Sequence, residues 1–289
     1  MRRISLLIIV CLSCFREIEA QSVNDPFYRY GFPQEQIYID FEQALSDAKE
    51  VKKLKLEAFD LSAKLDKLEK FKSLKVLKLS NNLIDSLPEE IFDAGSLLYF
   101  ESIGNAYRAL PENFSNSVGL KELKIINAAI DSLPIQMSSV KYLRRIEFQS
   151  FEGDTLDLRP FLRAQRNLEE LLLYKVPVHY FPLRDSSAKT LNQVYLVNCQ
   201  LASIDSAFWN NRALEILVLD DNEITAIPDE LLQLSSLKTL SLKNNRIKHL
   251  PELVSKLPNL ELLNLSGNKI PFHELEIVRI LMPNCKIIY

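Results

Sequence analysis

The stretch of chain from residue 214 to residue 270 states one pattern twice and begins it a third time. It reads LEILVLDDNEITAIPDELLQLSS (214–236), LKTLSLKNNRIKHLPELVSKLPN (237–259) and LELLNLSGNKI (260–270). Leucine or isoleucine recurs at offsets 0, 3, 5, 10 and 13 from Leu214 and from Leu237, with asparagine at offset 8. Five apolar positions and one asparagine that recur in register indicate an array of structural repeats.

Each repeat is expected to form one turn of a solenoid. Leu217 and Leu219 alternate with Ile216, Val218 and Asp220, and this period of two predicts a short strand. The two leucines point inward and the other three side chains point outward. A single turn cannot bury its own leucines, so neighbouring turns must cover each other and the two ends need caps.

The asparagines at offset 8 are predicted to have a structural role. They follow the strand, where an inward amide offers two donors and an acceptor to backbone groups that the turn leaves unpaired. The predicted members of this ladder are Asn82, Asn105, Asn222, Asn245 and Asn268. The other repeats carry Phe59, Ala128, Phe151, Val176 and Cys199 at the same offset, where a buried Cys199 thiol can act as a weak donor.

The pattern extends over residues 51–273. Repeats begin at Val51, Leu74, Leu97, Leu120, Leu143, Leu168, Leu191, Leu214, Leu237 and Leu260, which makes ten units. All the intervals between these positions are equal except the one from Leu143 to Leu168, so the segment 153–160 is expected to absorb two extra residues. A proline often follows the apolar residue at offset 13, as in Ile227-Pro228, and it predicts a short helical turn on the convex side.

The segment 1–20 has the features of a secretory signal peptide. Arg2 and Arg3 precede a short apolar run, and Ala20 precedes the expected cleavage site. The run is too short to span a bilayer. In an alternative interpretation, Cys14 becomes a lipid-modified N-terminus.

Residues 21–50 and 274–289 are predicted to cap the array. In the first segment, Asp40 precedes an apolar helical pattern and Gln43 follows three residues later, as in a capping box. Cys199 and Cys285 lie about four turns apart, beyond the reach of a disulfide, so we predict none between them.

Units of the form LxxLxLxxNxLxxLPxxLxxLxx resemble the 23-residue leucine-rich repeats of Ras-group and Scribble-like scaffolds and of bacterial exported proteins. Residues 44–56 are similar to the start of the bacterial members. The resemblance implies an α/β solenoid, a right-handed horseshoe with a parallel concave sheet and short helical or 3-10 turns on the convex side. It also implies that the concave face binds macromolecules and that the module has no catalytic activity.

The composition and the motifs point away from other classes of function. A net charge of −3 argues against nucleic acid as a partner, since such proteins are usually basic. His179, His249 and His273 fall at different offsets of different repeats and share no ligand geometry. We find no phosphate loop, nucleophile elbow or zinc spacing, so no catalytic residue, cofactor or metal is predicted.

The candidate binding site comes from the outward positions at offsets 2, 4 and 6. They are polar in most repeats, but three consecutive repeats place apolar or aromatic residues there: Leu172, Tyr174, Tyr195, Val197, Ile216 and Val218. We predict that these six, here named the concave patch, form an exposed cluster that anchors a partner protein, with Arg145, Glu170, Lys175 and Asp220 at its rim. The alternative is that they are present only because such residues favour strands.

A second candidate surface lies in the first two repeats, which are rich in lysine. Lys53, Lys55 and Lys78 are expected to face the concavity, where they would suit a polyanion. Acidic residues are interleaved with them, which is equally typical of a solvated end of mixed charge. The sequence thus predicts an exported, non-enzymatic protein-binding module, with a structural or polysaccharide-binding surface component as the alternative.

Overall fold

The computed structural model describes residues 25–30, 34–61, 63–93, 95–127, 130, 133, 135–150, 158–178, 180–181 and 190–289. Its strands are β1 (Ile37–Tyr38), β2 (Lys53–Glu57), β3 (Val76–Ser80), β4 (Tyr99–Ile103), β5 (Glu122–Ile126), β6 (Arg145–Gln149), β7 (Glu170–Tyr174), β8 (Tyr180–Phe181), β9 (Gln193–Val197), β10 (Ser203–Ile204), β11 (Ile216–Val218), β12 (Thr239–Ser241), β13 (Leu262–Asn264) and β14 (Lys286–Ile288). The helices are α1 (Pro26–Arg29), α2 (Phe41–Ser46), α3 (Glu90–Asp93), α4 (Arg159–Ala164) and α5 (Phe272–Leu281).

Within these residues the chain is an α/β solenoid in the form of an open horseshoe. A parallel sheet of 12 strands runs in the order β1-β2-β3-β4-β5-β6-β7-β9-β11-β12-β13-β14, and it does not close. The predicted fold class is confirmed. Each of the ten predicted repeats contributes one strand to this sheet, from β2 to β13. Each strand begins two residues after the first residue of its repeat.

The register of the strands follows the repeat length. Leu54 pairs with Leu77, which stands at the same offset of the next repeat. Arg145 and Glu170 pair in the same way, although the interval between their repeats is longer by two. The two additional residues are therefore absorbed between β6 and β7, where residues 151–157 lie outside the described part of the chain. The inward leucines stack into one continuous hydrophobic core.

Short helical turns line the convex side, as predicted. Besides α3 and α4, these are the 3-10 segments Leu65–Lys70, Glu112–Asn116, Ile135–Ser139, Ser206–Asn210, Asp229–Gln233 and Glu252–Lys256. Pro111, Pro228 and Pro251 each stand immediately before such a segment. A two-stranded pairing of β8 with β10 lies outside the main sheet.

The residue at offset 7 has a left-handed backbone in all ten repeats, which the sequence did not lead us to expect. These residues are Ala58, Asn81, Gly104, Asn127, Ser150, Lys175, Asn198, Asp221, Asn244 and Gly267. Their φ angles lie between 52° and 76°. Asparagine, aspartate and glycine tolerate this conformation best, and they occupy most of the positions. The turn redirects the chain so that the next side chain points inward, as at Asn82, Val176 and Cys199.

Strand β1 and helix α2 cover one end of the array. The Asp40 carboxylate accepts a hydrogen bond from the backbone N–H of Gln43 at 2.8 Å and caps α2. Phe41 is fully buried, with its ring centroid 5.8 Å from that of Phe59. Strand β1 extends the sheet by pairing with β2. At the other end, α5 buries Leu275 against the core, and β14 adds the last strand.

Candidate binding face

The concave patch is brought together by the pairing of β7, β9 and β11. In register, Tyr195 lies between Leu172 on one side and Val218 on the other, and Tyr174 lies beside Val197. Ile216 shares the outward face of β11 with Val218. The six residues therefore lie on three adjacent strands of the sheet, as their offsets predicted.

The expected exposure of the patch is wrong for two of its members. Leu172 is only 8% exposed and Val197 only 6% exposed, whereas Tyr174, Tyr195, Ile216 and Val218 are half-buried. Each of the two buried residues is paired in register with a tyrosine on the neighbouring strand. The two tyrosines and the β11 side chains thus form the accessible part of the patch.

Burial also affects the ionisation of the two tyrosines. It raises the pKa of Tyr174 and of Tyr195 above the ordinary phenol value, and nearby carboxylates act in the same direction. Both rings are therefore neutral at physiological pH. They present an apolar body with a hydroxyl group that can donate a hydrogen bond, which is typical of residues that anchor protein interfaces.

The rim of the patch carries charged residues, and Arg145, Glu170 and Asp220 have partners within the protein. Arg145 bonds the carboxylate of Glu170 and lies 3.1 Å from that of Glu147. On the opposite side, the Asp220 carboxylate accepts from the Ser241 hydroxyl at 2.5 Å and from the Lys243 N–H at 2.9 Å. Burial raises the pKa of Asp220, and these two hydrogen bonds oppose the rise. The apolar centre therefore has an ordered polar border.

Residues 25–30, here named the N-terminal segment, occupy another part of the concave face. Phe27 packs against Val76 on β3 and Tyr99 on β4, and all three are buried. The Arg29 guanidinium bonds the Glu122 carboxylate on β5, and the Tyr30 hydroxyl donates to the same carboxylate at 2.7 Å. Sequence reasoning missed this site. The available signal was Val76 and Tyr99, apolar residues at outward positions, together with the aromatic run before residue 31.

Two of the three lysines that were expected to face the concavity are buried. Lys53 is 1% exposed, and burial lowers the pKa of its ammonium group. Lys78 is 9% exposed, with its Nζ 4.8 Å from the centroid of the Phe27 ring and 3.8 Å from the Asp25 carboxylate. Lys55 is half-buried and 3.6 Å from Glu57. These lysines do not form an accessible basic patch for a polyanion.

The predicted asparagines form a hydrogen-bonded ladder. In Asn245, the side-chain oxygen accepts from the Ile224 N–H at 3.0 Å, and the amide donates to the carbonyls of Leu219 and Leu242 at 2.9 and 3.0 Å. Asn82, Asn105, Asn222 and Asn268 accept and donate in the same way. The Cys199 thiol takes this place in its repeat and donates to the carbonyls of Leu173 and Val197 at 3.4 Å.

The described residues contain no group of three or more His, Cys, Asp or Glu side chains that could hold a metal ion. His249 lies 3.2 Å from Glu274 at the exposed C-terminal end, and His179 falls outside the described residues. Cys199 and Cys285 are both free thiols. None of the described helices has the length and apolar character to cross a bilayer.

Comparison with known proteins agrees with this geometry. Residues 212–270 and 73–94 match family models that describe leucine-rich repeats. The chain contains leucine-rich repeats. The two matched ranges include Asn82, Asn222, Asn245 and Asn268, which belong to the asparagine ladder. No curated protein matches this leucine-rich repeat chain at a significant level.

Several solved structures are similar to this leucine-rich repeat protein. A leucine-rich repeat protein of Leptospira interrogans is 24% identical, with a TM-score of 0.62, over 83% of this chain and 67% of its own. An internalin of Listeria monocytogenes is 18% identical, with a TM-score of 0.69, over 87% and 71%. A chain of the Drosophila Toll–Spatzle complex is 17% identical, with a TM-score of 0.65, over 88% and 38%. These likenesses concern the fold.

Proposed function

We propose that this protein is an exported, non-enzymatic module that binds a partner protein on its concave face. The contact region is the concave patch of Leu172, Tyr174, Tyr195, Val197, Ile216 and Val218. The observation that carries the proposal is the position of two half-buried tyrosines on adjacent strands. Apolar residues are their partners in register, and the Arg145–Glu170 ion pair lies to one side. This combination matches the anatomy of protein-binding hot spots.

The fold supports a protein partner over a small molecule. A parallel sheet of 12 strands offers a long, curved surface, and the repeat architecture is commonly used for such extended contacts. A chain with a similar fold occurs in the Toll–Spatzle complex. The patch itself is a shallow part of a continuous sheet, which suits a macromolecular surface.

Export is proposed from the segment 1–20, which lies outside the described part of the chain. Its charged start, short apolar run and Ala20 are typical of a cleaved signal peptide. The intact mass of the exported protein distinguishes the two proposed forms. Cleavage after Ala20 leaves Gln21 first, whereas a lipid-modified Cys14 gives a heavier chain with an acyl group.

Site-specific photo-crosslinking tests the proposed contact region. A photoreactive phenylalanine derivative is placed at position 195 on the concave patch, and, as a control, at exposed position 256 on the convex side. We expect a crosslinked partner in native cells from position 195 and none from position 256. A crosslink from the convex position alone would contradict the proposal.

A further inference from the structure

The N-terminal segment covers a part of the concave face that the concave patch does not use. It crosses β3, β4 and β5, whereas the patch lies on β7, β9 and β11. Phe27 is 4% exposed, and beneath it the outward side chains of Val76 and Tyr99 are buried as well. These three residues form a small hydrophobic cluster separate from the core of the solenoid. The outward side chains of Val76 and Tyr99 therefore form a small apolar site on the concave surface, here named the slot.

Charged groups fix the two ends of the segment over this slot. At one end, Lys78 lies 3.8 Å from the Asp25 carboxylate and its ammonium group stacks over the Phe27 ring. At the other end, the Glu122 carboxylate receives both the Arg29 guanidinium and the Tyr30 hydroxyl.

The strands beneath the segment also carry charged residues that pair with one another. Tyr99 donates to the Glu101 carboxylate at 2.7 Å, and Lys124 lies 3.5 Å from Glu101 and 3.9 Å from Glu147. Glu101, Lys124 and Glu147 thus offset one another, whereas Lys78 and Glu122 are charges of this surface that contact the segment. The surface thus offers an aromatic slot beside a carboxylate that suits arginine.

The segment is held by these few contacts and takes no part in the pairing of β3, β4 and β5 with one another. Helix α1 is a single turn of four residues, and Phe27 is its buried side chain. Its neighbour Tyr28 is exposed. Segments with few buried apolar contacts open locally at low free-energy cost. The slot can therefore be vacated without unfolding the solenoid.

We propose that the concave surface of β3–β5 is a peptide-recognition site, which the N-terminal segment fills in cis. In trans it takes a protein segment with the same chemistry, an aromatic residue followed two positions later by arginine. Glu122 selects the arginine because a carboxylate binds guanidinium through charge-assisted hydrogen bonds. The slot of Val76 and Tyr99 selects the aromatic ring. This site does not depend on the concave patch.

A labelled peptide with the sequence of residues 23–32 tests this site by fluorescence anisotropy. The receiving protein is the full chain carrying Phe27→Ala and Arg29→Ala, which weakens the cis occupant. We expect this variant to bind the peptide at least tenfold more tightly than the unmodified chain does. A peptide that itself carries Phe27→Ala and Arg29→Glu should not bind.

Two further substitutions in the receiving variant distinguish specific recognition of the peptide by Glu122 from a general effect of negative charge. Glu122→Gln should weaken binding at least tenfold, whereas Glu57→Gln, an exposed carboxylate on β2, should leave it unchanged. Tyr174→Ala/Tyr195→Ala should also leave peptide binding unchanged. A negative result at β3–β5 would therefore not count against binding at the concave patch, and the two proposals can fail separately. Each variant is first checked for an unchanged melting temperature. Absence of peptide binding, equal binding by the unmodified chain, or equal loss with Glu57→Gln would overturn the proposal.

Discussion

The backbone N–H of Asn82 donates to the side-chain oxygen of Asn105, 3.0 Å away and one repeat later. The Asn82 side chain in turn accepts from the Phe59 N–H at 3.0 Å, one repeat earlier. Each asparagine therefore closes a turn of the preceding repeat. A repeat array is stabilised by such contacts between neighbouring repeats. Replacement of one asparagine of the ladder therefore affects two repeats.

Asn245→Ala is expected to destabilise the protein by about 1–3 kcal/mol. The substitution leaves the Ile224 N–H and the carbonyls of Leu219 and Leu242 without their buried partner. Urea unfolding of this variant measures the loss. Lys248→Ala, an exposed position in the same repeat, is the control and should change the free energy of unfolding by less than about 0.5 kcal/mol. If Asn245→Ala also changes the free energy of unfolding by less than about 0.5 kcal/mol, the hydrogen-bonded ladder is contradicted.

Much of this architecture could be predicted from the sequence, because the repeat period is a local property of the chain. The strands, their inward leucines and the asparagine ladder all follow from it. The left-handed turn at offset 7 could have been inferred from Asn81, Gly104 and Asn244, but Ala58 and Lys175 hide the pattern. Those two residues adopt the turn because the neighbouring repeats impose it.

Contacts between distant parts of the chain could not be predicted in this way. The N-terminal segment meets Glu122, 93 residues beyond Arg29, and no periodicity connects them. The burial of Leu172 and Val197 was missed for a related reason. The offset of a residue gives the direction of its side chain, but it does not show how much of that side chain the neighbouring strands bury.

Gly104→Ala should destabilise the protein more than Gly95→Ala. Both glycines have a positive φ, near 64°, so each substitution has a similar backbone cost of about 1–2 kcal/mol. A Cβ at position 104 would also lie 2.1 Å from the Asn81 side-chain oxygen, whereas one at position 95 meets nothing within 4 Å. The exposed Asn81 side chain has to turn away, so we expect an additional loss of about 0.5–1.5 kcal/mol at position 104.

The steric origin of that difference can be isolated with a double-mutant cycle. Asn81→Gly removes the obstructing side chain and still suits its own positive φ. In the Asn81→Gly background, Gly104→Ala should therefore cost no more than Gly95→Ala does. Additive losses for the two substitutions would show that the close approach is not responsible.

The two thiols should react slowly with a disulfide reagent in the native protein at pH 8. Burial raises the pKa of the Cys199 thiol to about 12 and that of Cys285 to about 11. Reaction requires the thiolate, which is scarce at pH 8 under these conditions. Cys285, which is half-buried, should react before Cys199. Rapid labelling of Cys199 in a Cys285→Ser variant before unfolding would contradict its burial.

The same pKa shifts predict how stability depends on pH. A folded thiol pKa above the unfolded value of 9.0 means that the unfolded chain loses its proton first as pH rises. The contribution of the neutral thiol is therefore complete below pH 9 and is lost between pH 9 and about 12. A Cys199→Ala variant should show a smaller fall in melting temperature over this range than the parent chain. An equal fall would assign the pH dependence to other groups.

The affinity of the crosslinked partner for a Tyr174→Ala/Tyr195→Ala variant tests the central claim most directly. Tyr142→Ala/Tyr289→Ala is the matched control, since both residues are exposed and Tyr289 packs against α5 away from the concave face. With melting temperatures unchanged, we predict at least a tenfold loss of affinity for the concave pair and none for the control pair. Equal affinity of the two variants would contradict binding through the concave patch.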